Sequence, residues 1–156
     1  MPVVQLEPTG CGIASAAAIA GLTYAQAKET ASTLGITAQD ERLRSETSYV
    51  RKLLEQFGVK VGYSEQTFNS WESLPDLALL SIKWHLEKGR PFWHWVVFVR
   101  DDKGAYVLDS KPSLHRHLRT DFGRIKPKWF IPIVDAQSIH QHELERYSRV
   151  SRLYRT

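Results

Sequence analysis

Along the first third of the chain the apolar positions recur at helical spacing, and further on they recur at every second residue. Gly12 to Ala20 is an Ala-rich run of high helix propensity, and Gly21 stops it. Thr23 suits an N-cap for a helix running to about Leu34, with Gly35 as its C-terminal stop. Asp40 to Arg44 reads as a connection. Ser45 or Thr47 then caps a third helix, in which Val50, Leu53, Leu54 and Phe57 share a face, and Gly58 ends it.

From Val59 the period changes. Val59, Val61 and Tyr63 alternate with Lys60 and Gly62, as a half-buried strand requires. Leu77 to Trp84 fits a buried strand or, in part, a helix, because periodicity alone does not separate the two. Phe92 to Arg100 is the clearest strand, rich in aromatic and β-branched residues. Asp101-Asp102-Lys103-Gly104 predicts a hairpin turn and Tyr106 to Leu108 its return strand. Trp129 to Val134 is expected at a sheet edge, since Pro132 lacks a ladder donor. Ile139 to Tyr154 predicts a terminal helix with few apolar positions. Helices first and an antiparallel sheet afterwards give an α+β fold rather than a wound α/β sheet.

The 156 residues fit one domain, 1–156, without linker or internal repeat. No apolar run reaches the ~18 residues of a membrane span. Residues 1–10 lack a basic start and contain two prolines and a Glu, unlike a secretory signal, so a cytoplasmic location is expected, with signal-independent export left open. The net charge of +4 is concentrated late in the chain, at Lys111, Arg116, Arg119, Arg124, Lys126 and Lys128, and again at Arg146, Arg149, Arg152 and Arg155. Such charge tolerates acidic partners, but a solvated basic face is the plainer reading, and nucleic acid is not the expected partner. His115 and His117, or His140 and His142, lack the accompanying spacing of a metal site, so no metal and no cofactor is expected.

A single cysteine excludes an intramolecular disulfide. Cys11 lies between Gly10 and Gly12 at the start of the first predicted helix. Free N–H groups and the positive end of the helix dipole favour a thiolate there. Gly10 and Gly12 would leave the sulfur uncrowded and let a substrate backbone approach. The bland alternative is a small buried residue at a helix start. His94 stands in the aromatic strand between Trp93 and Trp95, which are candidate groove walls; it is either a core histidine or a base needing a thiol on one nitrogen and an acceptor on the other. Asp109, at the far end of the return strand, is the acceptor candidate, or else a turn residue. Gln5, shortly before the cysteine, carries an amide that can donate to an oxyanion.

Gln5, Cys11-Gly12 with the small-residue helix behind them, His94 followed by Val96-Val97, and Tyr106-Val107-Leu108-Asp109 with Pro112 shortly after form a joint pattern over residues 3–112. In this the chain resembles the papain-like cysteine peptidases of peptidase family C39, the leader-peptide-cleaving domains of bacteriocin exporters and their stand-alone relatives. The resemblance implies a papain-like fold, with Cys11 as nucleophile, His94 as base, Asp109 as its orienting residue and Gln5 as oxyanion donor. It implies cleavage of a peptide or amide bond in a peptide or protein substrate. Deamidation or acyl transfer to an amine would use the same groups. A non-catalytic peptide-binding module is the other reading, and retention of Cys11, His94 and Asp109 argues against it.

Overall fold

The computed structural model describes residues 1–135. The expected terminal helix over 139–154, with His140, His142 and the four late arginines, lies outside the described residues.

Three helices come first: α1 (Cys11–Ala20), α2 (Tyr24–Thr33) and α3 (Ser48–Gln56), with a 3₁₀ turn over Glu41–Arg44 between the last two. Gly21 closes α1 in the left-handed region at φ 72°. A full capping box opens α2: the Thr23 side chain accepts from the Gln26 N–H, and the Gln26 side chain accepts from the Thr23 N–H. The strands that follow are β1 (Lys60–Val61), β2 (Gln66–Thr67), β3 (Leu77–Glu87), β4 (Arg90–Asp101), β5 (Gly104–Leu108), β6 (Leu118–Arg119) and β7 (Trp129–Asp135). They form one open antiparallel sheet in the order β1-β7-β3-β4-β5-β6, with β2 also pairing β7. The fold is therefore α+β. Among the described residues no helix is long and apolar enough to cross a membrane.

The helices cover one face of the sheet and loops cover the other, which explains why β4 reads as a nearly continuous apolar run. Trp93, Trp95 and Val97 point into the core shared with α1, α2 and α3, where Ile13, Val50, Leu53 and Leu54 are buried. Val96 and Phe98 point the other way, into a smaller core with Leu80, Val107 and Phe130, closed over by Phe68, Trp71 and Phe122 from the loops. Trp93, Trp95 and Trp129 meet edge to face in one cluster, with ring centroids 5.0 to 5.7 Å apart.

Three elements differ from expectation. The Val59–Tyr63 strand shrinks to the two residues of β1, with an irregular register and Tyr63 fully exposed. The ambiguous segment from Leu77 is wholly strand and extends to Glu87. The Pro132 strand is an inner one, β7, lying between β3 and the short β1 and β2. Proline is tolerated there because its carbonyl accepts from Gly62 N–H at 2.8 Å, which turns its donorless nitrogen to the same flank, where the partners are only two residues long.

Candidate active site

The site forms where β5 leaves the sheet. β5 is paired to β4 as far as Leu108 opposite Val97 and then turns away at Asp109. This leaves the next stretch of β4, Trp95 and His94, without a strand on that side. The amino end of α1 fills the gap, and the Trp95 N–H donates to the Cys11 sulfur at 3.4 Å in place of a ladder carbonyl. No side chain caps the first turn of α1, so its leading N–H groups are not taken by a protein side chain.

The loop that delivers Cys11 is tied on both sides. Glu7 accepts hydrogen bonds from the Tyr24 hydroxyl and the Lys28 ammonium, which fasten it to α2. Gln5 fastens it to the segment that follows β5: its N–H donates to the Ser110 carbonyl at 3.0 Å, and its Oε1 accepts from the Ser110 hydroxyl at 2.7 Å. One side chain thus links the segment carrying the cysteine to the segment carrying the aspartate.

His94 donates through Nε2 to Asp109 Oδ1 at 2.7 Å. Its other nitrogen, Nδ1, is left for Cys11, whose hydrogen bond and charge also act on the ring. Burial opposes a charged imidazole, but Asp109 and Cys11 together outweigh it and raise His94 from an ordinary 6.5 to about 9. Burial likewise opposes a charged Asp109, whose side chain is fully enclosed. The hydrogen bond and charge of His94, the Lys111 N–H and Arg119 outweigh that, and the carboxyl is held at about 2. Arg119 reaches Asp109 Oδ2 at 3.0 Å from β6, and the Lys111 N–H meets Oδ1 at 3.1 Å. His117 turns its Nδ1 to the Asp109 carbonyl at 2.8 Å. Every oxygen of Asp109 has a partner, so the residue is held in one orientation.

Cys11, His94 and Gln5 line one pocket of about 500 Å³, with Trp93 and Pro112 among its walls. The structure brings Cys11, His94 and Asp109 together. It places Gln5 in the same pocket with Nε2 donating to the carbonyls of Glu7 and Pro8, at 2.9 and 3.2 Å, so one of those bonds must yield before the amide reaches a substrate oxygen.

Three expected substrate contacts are corrected. Trp95 is fully enclosed in the helix-side core and cannot touch a substrate; Trp93 alone of the pair borders the pocket. Gly10 and Gly12 are buried, and their missing side chains make room for tyrosines instead of for a substrate. A Cβ at Gly10 would strike the Tyr24 hydroxyl, and one at Gly12 the Tyr49 hydroxyl. Tyr49 donates to the Leu43 carbonyl at 2.8 Å, and burial together with the charge of Cys11 pushes its phenol well above its usual value.

Sequence reasoning missed Arg119 and Ser110 as parts of this site. Arg119 reaches Asp109 only through the pairing of Val107 with Arg119, a contact that no local pattern announces. No family model matches the chain, and no curated protein matches it in sequence.

Proposed function

We propose that the protein is a papain-like thiol hydrolase, similar to peptidase family C39, that cleaves a peptide or amide bond in a peptide or protein substrate. The observation that carries this reading is the imidazole of His94, bonded through one nitrogen to an enclosed carboxylate and facing, with the other, the sulfur at the uncapped start of α1.

The chemistry follows from those placements. With His94 raised to about 9, the ring is an imidazolium at neutral pH, and a cation beside a cysteine favours the thiolate. The sulfur attacks the substrate carbonyl. The Cys11 N–H, with Gln5 once its amide is freed, meets the oxygen that becomes negative. When the tetrahedral adduct collapses, His94 gives its proton to the leaving nitrogen and a thioester remains. Neutral His94 then takes a proton from water, the resulting hydroxide attacks the thioester, the acid departs and the thiolate–imidazolium pair is restored. Asp109 keeps Nε2 protonated throughout and so holds Nδ1 toward the sulfur.

The test is a random peptide library incubated with the wild type and with Cys11→Ala and read by mass spectrometry. New chain ends with the wild type alone are the expected result. Deamidated glutamines in place of new ends would move the reaction to the side-chain amide as acyl donor, with ammonia leaving and water still the acceptor, on the same residues. A library left unchanged, or altered equally by Cys11→Ala, overturns the proposal.

A further inference from the structure

Where β3 passes His94 its ladder breaks. Ile82 pairs with His94 and His85 with Phe92, so Lys83 and Trp84 together stand opposite Trp93. A bulge of this kind re-aims side chains. Lys83 carries its cost, with φ at 54°, in the left-handed region that lysine seldom occupies. Lys83 thereby lines the pocket of Cys11 and His94 together with Lys111, which follows Asp109 on the other wall.

The two ammonium groups are close enough to act directly on one another, and burial first, then Lys111, lowers the Lys83 pKa below its usual value. Among the described residues neither has a carboxylate within ion-pair reach. The carboxylate of Asp109 is already shared among His94, the Lys111 N–H and Arg119. Glu41, the acidic residue of the pocket wall, is bonded to Arg44. On its far side Lys83 borders a second cavity, of about 510 Å³, whose other charged lining residues are Arg119, Arg124, Lys126 and Lys128. Of the charges that act on Lys83, Lys111 and Arg119 are positive, and Asp109 opposes them with less weight than Lys111. Two like charges brought together at a strained residue repel in the free protein, and an anion seated between them turns that repulsion into attraction.

We propose that Lys83 and Lys111 form an anion subsite of the Cys11 pocket, which holds a carboxylate of the acyl substrate, such as the side chain of an Asp or Glu beside the bond that is cleaved. This rests on the acyl-transfer reading and adds a substrate class to it. Lys111 serves through its backbone and its side chain at once: the N–H orients Asp109, and the ammonium faces the substrate.

Alkylation of Cys11 tests the subsite without a known substrate, and with one cysteine in the chain it reports on that sulfur alone. Iodoacetamide and iodoacetate present the same carbon, the second with a carboxylate attached; in both, the sulfur–carbon bond forms as iodide leaves. The rates are measured on the full chain at low ionic strength, and the ratio of iodoacetate to iodoacetamide is compared among the wild type, Lys83→Gln and Lys111→Gln. The ratio cancels any change in the sulfur itself. The proposal expects iodoacetate to be favoured by the wild type, and each substitution, or added salt, to lower the ratio by roughly threefold to tenfold. Rapid reaction with both reagents and a ratio indifferent to the two lysines overturns the subsite and leaves the hydrolase reading standing. Reaction with both reagents no faster than that of an ordinary exposed thiol overturns the hydrolase reading, and the subsite with it.

Discussion

Among the described residues the sheet carries two histidine–carboxylate pairs, both in the half of β3 and β4 near their hairpin and bordering one pocket. His94 meets Asp109 at 2.7 Å where the aspartate side chain is fully enclosed, while His85 meets Glu87 at 3.0 Å with both side chains about half exposed. The pairs are alike in distance and in the chemistry of the two groups. They differ in what surrounds them. Asp109 is held by a guanidinium and a backbone N–H besides its histidine, and its histidine also faces a sulfur. His85 is raised too, by the Lys83 carbonyl first and Glu87 second, but water screens both partners. A hydrogen bond between imidazole and carboxylate is therefore not in itself a device; enclosure and a third group at the free nitrogen make it one.

The largest effects should come from the enclosed pair. Asp109→Ala removes the acceptor of His94 and one of the two carboxylates that pair with Arg119, leaving that guanidinium to Asp121 alone, and it should lower turnover by about 10⁴-fold and stability by about 3–5 kcal/mol. Activity assays and chemical denaturation measure the two losses separately. Asp109→Asn keeps the shape but not the charge. It should cost less stability than Asp109→Ala while losing most of the activity, because the amide no longer holds an imidazolium.

The pH dependence of stability should divide the pairs next. His94 lies at about 9 against an ordinary 6.5, so its stabilisation is complete below 6.5 and is lost as pH climbs through 9. Asp109 lies at about 2 against 3.8, so its stabilisation is complete above 3.8 and is lost as pH falls through 2. Urea midpoints taken at stepped pH should therefore be highest between those ordinary values and should decline on the alkaline side. His94→Gln should flatten that alkaline decline. The smallest effect belongs to the exposed pair: Glu87→Gln should shift Tm by less than about 2 °C and leave the Cys11 alkylation rate within about twofold.

The three helices and the β4–β5 hairpin were legible because local signals mark them: small residues stopped by Gly21, an N-cap at Thr23, apolar positions at helical spacing from Val50 to Phe57, and a turn at Asp101 to Gly104. Cys11 was legible because it opens such an element, Asp109 because it follows the end of one, and His94 because it stands inside the aromatic run of β4. The rest depends on contacts distant in the chain. Gly10 and Gly12 read as open space for a substrate, yet Tyr24 and Tyr49 occupy it. Trp95 read as a groove wall, but its alternation with His94 sends it into the helix-side core, while Trp93 on the same face is nearer the mouth of the pocket. The bulge at Lys83 leaves no mark in an apolar run, and β7 became an inner strand although it contains a proline, because the strands beside it are short.

The central claim is that the sulfur of Cys11 and the imidazole of His94 work as one unit. The rate of Cys11 alkylation by iodoacetamide, followed from pH 5 to pH 10 in the wild type and in His94→Ala, tests it most directly. The account predicts brisk reaction by the wild type at pH 6, and a curve for His94→Ala that rises only through the ordinary thiol range near ~8.5. Two superimposed curves, both rising in that ordinary range, would contradict it.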